Sequence, residues 1–339
     1  MGAYRLIQRV VPYKHELLSS FLMRAADANG YRRFQDILTL ALRSKKTNPH
    51  VQMDQVKHLA DYTRTSVSEI CQLSGISRRI PRLGPIWQVN EEWITKFRFA
   101  NFRVTQVCPQ CLIEGGYLRG DWTLVLNTAC CTHGTLLLNR CPRCREILTT
   151  NRYLPESCWC GFDLRESPCV DASPQEILVA QLTNARSNPS RSLDTPCLPI
   201  AQIQNLAQLS LEGLCQSLWF LGHDLYCQLP LGTGRGHRKL SREEVQRIIN
   251  GAFWMLADWP DRLRATLHRL VQDSLEEADL SSLARLLGPM QRYFERHVSG
   301  DARFISIPYE VFVRQIASRF GQMKRLRDLE SPQLQLDLE

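Results

Sequence analysis

The sequence has no long apolar run. Although 44% of its 339 residues are hydrophobic, no segment approaches the ~18 to 20 consecutive apolar residues that span a bilayer. The first residues, Met1-Gly-Ala-Tyr-Arg5, also lack the apolar core of a secretory signal. We therefore expect a soluble protein that makes no membrane contact and works in the reducing cytoplasm.

The residue patterns of common enzyme sites are also missing. Gly232, Gly234 and Gly236 alternate, but they fit neither a Walker A loop nor a dinucleotide fingerprint. There is no His-x-Glu element of a zinc deaminase, and no Asp/Glu, Ser/His or Cys/His set that would converge on a substrate. We expect a protein that is not an enzyme.

Cysteine, in contrast, is abundant, with 13 residues in the chain. Seven cysteines and one histidine form four closely spaced pairs, and such a pair lets two side chains of one tight turn, a knuckle, reach one Zn²⁺. In a reducing compartment disulfides are not expected. The predicted ligands of two structural zinc ions are Cys108, Cys111, Cys130, His133, Cys141, Cys144, Cys158 and Cys160.

Consecutive knuckles are the simplest pairing, because each loop then closes locally. The first site would extend from Cys108 to His133 and the second from Cys141 to Cys160; an interleaved cross-brace is the alternative. Cys131 breaks the knuckle spacing, and we interpret it as a small buried apolar neighbour. Four protein ligands leave a zinc ion no open position for water, which indicates structural rather than catalytic sites.

The net charge of +8 is concentrated in the first half of the chain. Residues 1–170 contain 23 Lys and Arg against 14 Asp and Glu, whereas residues 171–339 contain 19 against 20. Seven thiolates and two zinc ions would reduce the net charge of the first half to about +6. A nucleic-acid or ribonucleoprotein surface is therefore expected in the first half; a merely solvated positive surface is the alternative.

Helical spacing predicts helices over residues 12–26, 34–43, 54–62 and 66–73. The last two, joined by a short turn, are compatible with a helix-turn-helix and equally with a plain helical hairpin. The second helix contains no Arg or Lys, which weakens a role in reading base edges.

Three basic groups are candidates for nucleic-acid or partner contact. The first follows the helix-turn-helix-like pair, the second lies among phenylalanines that could stack on bases or pack on a core, and the third lies in a glycine-rich loop that is otherwise a surface loop. Their residues are Arg78, Arg79, Arg82, Lys96, Arg98, Arg235, Arg238 and Lys239.

In the second half, helical spacing predicts helices over residues 173–185, 201–226, 241–259, 261–274, 279–287, 289–298 and 308–328. Residues 186–200 are predicted to form a linker and residues 230–239 a flexible basic loop. Capping boxes at Ser66, Ser173 and Ser241 indicate where helices begin. We predict a mainly α protein with small zinc-ribbon modules. Its predicted parts are an N-terminal helical, helix-turn-helix-like domain (1–105), a double zinc-binding module with two consecutive motifs (106–170) and a C-terminal helical domain (171–339).

Three motifs resemble the TniQ/TnsD family of transposon target-selection proteins. Pro12, Glu16, Leu18, Ser20 and Arg24 follow the family's opening motif, with Leu17 in place of the usual Ser. The first zinc motif is similar through Cys108-Pro-Gln-Cys111-Leu112, Tyr117, Trp122 and Cys130 to Gly134, and the second through Cys141-Pro-Arg-Cys144 and Cys158-Trp-Cys160-Gly161 with Asp163-Leu164. The resemblance covers about residues 5–165.

The resemblance implies a bacterial, non-enzymatic protein that marks an insertion site, near the nucleoid and with DNA nearby. Family members of this length look like those coupled to a CRISPR effector of the Cascade type, on which they sit as a homodimer, and which recruit an AAA+ ATPase that activates the transposase. Longer TnsD-type relatives instead bind an attachment site in DNA directly, and this remains the alternative.

Overall fold

The computed structural model describes residues 5–43, 51–81, 84–95, 99–185, 197–227, 240–275 and 303–319. The chain divides into two compact units. The first consists of Met1–Thr195 with Gly234–Val245, and the second of Pro196–Thr233 with Gln246–Glu339. The division into three domains at 105 and 170 stays a prediction.

The first unit contains helices, a small mixed sheet and a long irregular region that carries the Cys and His pairs. Its helices are α1 (Leu18–Ala28), α2 (Phe34–Leu42), α3 (Val56–Thr63), α4 (Val67–Cys71), α5 (Pro109–Gly115) and α6 (Pro174–Ala185), and its strands are β1 (Val51–Gln52), β2 (Ile76–Ile80), β3 (Gly84–Val89) and β4 (Glu92–Ile94). Short 3-10 turns lie at Met53–Gln55, Gly120–Thr123 and Leu164–Glu166.

The described part of the second unit is helical. It contains α7 (Ile200–Gln208), α8 (Leu211–Trp219) with a π-helical continuation (Phe220–Cys227), α9 (Arg242–Ala257), whose first turn belongs to the first unit, α10 (Asp261–Leu275) and α11 (Arg303–Arg319). Close packing is clearest at Gly222, where an added Cβ would lie 1.9 Å from the carbonyl oxygen of Ile248. Among the described residues no helix has the length and apolar character needed to cross a membrane.

The fold is mostly helical, as predicted, but the sheet was not predicted. Its strand order is β1-β2-β3-β4, with β1 parallel to β2 and the remaining pairs antiparallel. β2 contains Arg78 and Arg79 between two isoleucines, which obscures the alternation that indicates a strand. The hairpin of β2 and β3 directly follows the helical pair formed by α3 and α4.

The helical pair itself has the local features that the sequence indicates. Ser66 caps α4, because its hydroxyl accepts the backbone N–H of Glu69 while the Glu69 carboxylate accepts the Ser66 N–H. The turn before it contains Arg64 with φ of 58°, and Gly75 after it has φ of 96°, a conformation that favours glycine. α4 has five residues, fewer than predicted.

The first predicted helix, over 12–26, was wrong at its beginning. α1 begins only at Leu18, because His15 has a left-handed backbone and the next two residues form bridges with distant parts of the chain, Glu16 with Arg119 and Leu17 with Ser74. The N–H groups of Leu17 and Leu18 therefore have tertiary partners, the carbonyls of Leu118 and Ser74.

In the second unit, the stretch 201–226 is divided between α7 and α8, since Ser210 caps a new helix by accepting the N–H of Gly213. The last predicted helix, over 308–328, begins earlier, at Arg303, with Pro308 inside it. The predicted helices over 279–287 and 289–298 and the basic loop over 230–239 lie outside the described residues.

Candidate metal centres

The first centre brings together Cys108, Cys111, Cys130 and His133, whose ligand atoms all lie within 4.8 Å of one another. The Nδ1 atom of His133 is 3.4 Å from the sulfur of Cys108, 3.3 Å from that of Cys111 and 3.5 Å from that of Cys130. The sulfur atoms of Cys111 and Cys130 are 3.5 Å apart. The chain therefore groups consecutive knuckles rather than interleaved ones.

Local structure explains how each pair points inward. Cys108 precedes α5, whose first residue is Pro109, and Cys111 lies on the first turn of that helix. The second pair lies on a tight turn in which Gly134, with φ of 66°, donates its N–H to the carbonyl of Cys130. Each turn is fixed by a backbone hydrogen bond, so the two donor atoms of each pair point the same way, and the pairing of Val107 with Leu138 brings the two turns together.

The spacing of the donor atoms fits zinc. Zn–S bonds of about 2.3 Å and Zn–N bonds of about 2.0 to 2.1 Å place neighbouring ligand atoms of a tetrahedron about 3.5 to 3.8 Å apart. The observed distances of 3.3 to 3.5 Å in the first centre are close to that range. Three thiolates and one imidazole are also donors that zinc prefers.

The thiols of the first centre are close enough to share protons. Hydrogen bonds from Cys111 and Cys130 lower the pKa of Cys108 to about 3, whereas hydrogen bonds to Cys108 and Cys130 raise the pKa of Cys111. A divalent cation bound by these sulfurs would replace the shared protons.

Glu114, a residue that sequence reasoning missed, orients the histidine. Its Oε1 atom lies 3.0 Å from the Nε2 atom of His133, which leaves Nδ1 free of the proton and available to a metal. Burial lowers the pKa of His133, but Glu114 and Cys130 raise it on balance. Glu114 lies on α5, three residues after Cys111 and therefore on the same helix face.

The second centre brings together Cys141, Cys144, Cys158 and Cys160, also within 4.8 Å. The sulfur atoms of Cys141 and Cys160 are 3.6 Å apart, and those of Cys144 and Cys158 are 3.7 Å apart. Both distances match the edge of a tetrahedral Zn(Cys)₄ site. Each centre offers four protein donors, so the arrangement can hold a structural metal and provides no open position for a reacting water.

Arg152 is the unusual residue beside the second centre. Its side chain is 3% exposed, its Nη1 atom donates to the Thr105 hydroxyl at 3.0 Å, and its Nε and Nη2 atoms have no hydrogen-bond partner. Burial lowers the pKa of Arg152 to about 10, while Cys158 and Glu156 act in the opposite direction. Four thiolates that bind one zinc ion have a net charge of −2. A buried guanidinium with unused donors is a suitable neighbour for such a site.

Cys131, which the sequence placed outside the first centre, packs with Ala129 and Ala180 and is 6% exposed. The Nη2 atom of Arg119 lies 3.9 Å from its sulfur, and Arg119 is paired with Asp121 at 3.1 Å. The nearby Cys130 supplies the donor to the centre instead.

The opening motif connects α1 to the first centre. Glu16 is fully buried and accepts hydrogen bonds from Ser20 at 2.7 Å and from two nitrogens of Arg24 at 2.9 and 2.7 Å. The Ser20 hydroxyl in turn accepts the N–H of Leu118, which lies just after α5. Sequence reasoning used these residues only for the resemblance; the structure shows that they fasten α1 to the metal-binding region.

Of the candidate nucleic-acid residues, only Arg78 and Arg79 are described. Both are exposed on β2, where Arg78 is paired with Ile86 and Arg79 with Pro85. They extend from opposite faces of the sheet, because successive side chains of a strand alternate. The remaining candidates lie outside the described residues: Arg82, Lys96, Arg98, Arg235, Arg238 and Lys239.

Comparison with known families gives one result. Residues 7–137 match the family model of TniQ. The match spans α1, the helical pair, the sheet and the whole first centre, whereas the second centre lies beyond it. No curated protein matches the chain.

Proposed function

We propose that this chain, whose residues 7–137 match the TniQ family model, is a non-enzymatic target-selection adaptor in DNA transposition. It links an RNA-guided CRISPR effector complex of the Cascade type to the AAA+ ATPase that recruits the transposase. The observation that carries the proposal is the family match, because a TniQ domain implies a role in selecting the transposition target.

The chemistry of the metal centres supports a protein without catalytic activity. Both centres have four protein donors, and zinc held in this way stabilises a fold rather than activating water. The two ions would fix the irregular region between α5 and α6, which contains little regular structure of its own.

The composition of the helical pair supports an adaptor whose target sequence is recognised by a guide RNA rather than by the protein. α4 consists of Val67, Ser68, Glu69, Ile70 and Cys71. It offers no Arg or Lys for guanine, and its one acidic residue, Glu69, is held by the Ser66 N–H and by Arg9. An adaptor needs no base-reading helix when base pairing of a guide RNA supplies the specificity.

The second candidate function is a TnsD-like protein that binds an attachment site in DNA directly. The hairpin of β2 and β3 favours it, because exposed Arg78 and Arg79 directly follow the helical pair. A basic hairpin in this position could contact the phosphate backbone while other residues read the bases.

A competition footprint separates the two functions. The purified protein is incubated with duplex fragments that contain a transposon insertion site, with increasing amounts of unrelated DNA. The adaptor predicts weak, salt-sensitive binding that competitor removes. A single protected site that survives competitor, and that is lost when Arg78 and Arg79 are changed to alanine, would establish the direct reader instead.

Arg32 and Arg33 supply the matched control for this footprint. Both are exposed, adjacent in sequence and equal in charge to the β2 pair, but they precede α2. Alanine at both positions changes the net charge by the same amount. A loss of protection seen only when Arg78 and Arg79 are replaced therefore indicates a contact made by the hairpin.

A further inference from the structure

We propose that the second metal centre presents a binding surface for unpaired nucleotides. Trp159 provides a stacking platform for a base, and Arg143 and Arg145 contact the flanking phosphates. This surface is separate from the arginines of β2, and the proposal does not depend on the adaptor function.

The platform is an exposed tryptophan on a rigid turn. Trp159 lies between Cys158 and Cys160 and is 62% exposed. The turn is closed by two backbone hydrogen bonds, from Cys158 N–H to Phe162 and from Gly161 N–H to Cys158, both 2.9 Å. A zinc ion on the flanking sulfurs would fix it further. Such a side chain loses little conformational freedom when a base stacks on it.

The arginines lie on the opposing knuckle of the same centre. Arg143 and Arg145 flank Cys144, whose sulfur is 3.7 Å from that of Cys158. Both side chains are exposed, and neither forms an ion pair within the part of the chain that the structure describes. Arg145 has φ of 61° and donates its N–H to Cys141, so the backbone that carries it is fixed as well.

A third arginine reinforces the knuckle. The Nη1 atom of Arg140 donates to the carbonyl of Arg145 at 3.1 Å, and the exposed guanidinium has no ion pair among the described residues. On the other knuckle, the carboxylate of Asp163 is paired with Arg165 at 2.6 Å. The first acidic side chain after Trp159 in the sequence is therefore paired, and an approaching phosphate meets less repulsion from it.

Charge and stacking together favour an unpaired nucleotide over a duplex. Residues 140–160 contain four arginines and two glutamates. With the two negative charges of a Zn(Cys)₄ site, the local charge is close to zero. Duplex binding depends mainly on the release of counterions from many phosphates. A surface without net positive charge cannot displace many counterions. Stacking on an aromatic ring needs an accessible base face, which only an unpaired base offers.

A protein partner is disfavoured by the surroundings of Trp159. Interface hot spots lie in apolar, desolvated pockets. The sequence around this tryptophan provides the polar residues Glu156, Ser157, Asp163 and Arg165, none fully buried, beside the half-buried Phe162. A flat aromatic ring with polar neighbours is better suited to a base and its sugar and phosphate.

The test measures binding of the full-length, zinc-loaded chain to fluorescein-labelled 12-nucleotide probes by anisotropy. The probes are oligo(dT), oligo(U) and a duplex of mixed sequence. We expect tighter binding of a single strand than of the duplex. Trp159→Ala should weaken it about 5- to 150-fold, from the loss of one stacked base, whereas Trp159→Phe should retain most of it. Comparison of the two single strands decides whether DNA or RNA is preferred.

Three further variants complete the design. Arg143→Ala should reduce the slope of log affinity against log salt by about 0.7, the value of one phosphate on a single strand. Arg145→Asn tests the second phosphate contact, because asparagine tolerates the left-handed backbone at this position. Ile113→Ala removes a similarly exposed apolar side chain, 65% exposed and beside the first centre, and should change nothing.

Zinc content of two ions per chain in every variant shows that the fold is intact. Equal affinity of the wild type and Trp159→Ala, equal losses in Trp159→Ala and Ile113→Ala, or no binding of either single strand would overturn the proposal. None of these results bears on the footprint with duplex DNA, which tests the proposed function separately.

Discussion

Removal of the buried carboxylate of Glu16 should destabilise the first unit. Glu16 is fully buried and accepts hydrogen bonds from Ser20, from the backbone N–H of Tyr13 and twice from Arg24. In Glu16→Ala these donors lose their acceptor, and the guanidinium of Arg24 loses its counter-charge.

The magnitude follows from the burial of the two partners. Breaking a buried ion pair by removing one partner costs about 3 to 5 kcal/mol, because the remaining charge is left uncompensated. Arg24 is 19% exposed, donates also to the carbonyl of Val11 and lies 4.3 Å from the ring centre of Tyr13. Since Arg24 keeps these contacts, we expect a loss near ~3 kcal/mol in the free energy of unfolding.

The measurement is urea unfolding of the zinc-loaded protein, followed by circular dichroism and by zinc release to a chromophoric chelator. Zinc release identifies the transition of the first unit, which contains both centres. Arg165→Ala is the control, because it breaks an exposed ion pair in the same unit and should cost less than about 1 kcal/mol. If Glu16→Ala costs no more than Arg165→Ala, the opening motif does not fasten α1 in the way described.

Three further changes test the metal region. Cys144→Ser should lower the zinc content from two ions per chain to one, as measured by atomic emission, since only the second centre loses a donor. Arg152→Gln should make that same centre about 10- to 100-fold weaker toward zinc in competition with a chelator and leave the first unchanged, because it removes the buried cation beside Cys158. Gly120→Ala should lower the melting temperature by the equivalent of about 1 to 3 kcal/mol, since its Cβ would lie 1.9 Å from the hydroxyl of Ser74; an unchanged melting temperature would contradict that packing.

The grouping of the metal centres could be predicted from the sequence because it depends on local geometry. The one or two residues between the donors of a knuckle, and the turn that closes it, determine where the side chains point. Capping boxes were predictable for the same reason, as at Ser66 and Ser173, where each serine accepts from the N–H of the glutamate three residues on.

What the sequence did not predict depends on distant contacts. α1 begins late because Glu16 and Leu17 pair with residues around 74 and 119, and no local pattern indicates those partners. β2 was interpreted as a basic cluster because Arg78 and Arg79 interrupt the apolar alternation, although pairing with β3 is sufficient to form the strand. The role of Glu114 becomes visible only when the turn at His133 comes close to α5.

Co-purification tests the adaptor most directly. The tagged chain is expressed together with the genes that neighbour it, and the isolated complex is analysed by native mass spectrometry and for zinc. The proposal predicts a CRISPR ribonucleoprotein carrying two copies of this chain, each with two zinc ions. Recovery of the chain without a ribonucleoprotein, together with a single protected duplex site, would contradict it and establish a direct DNA reader.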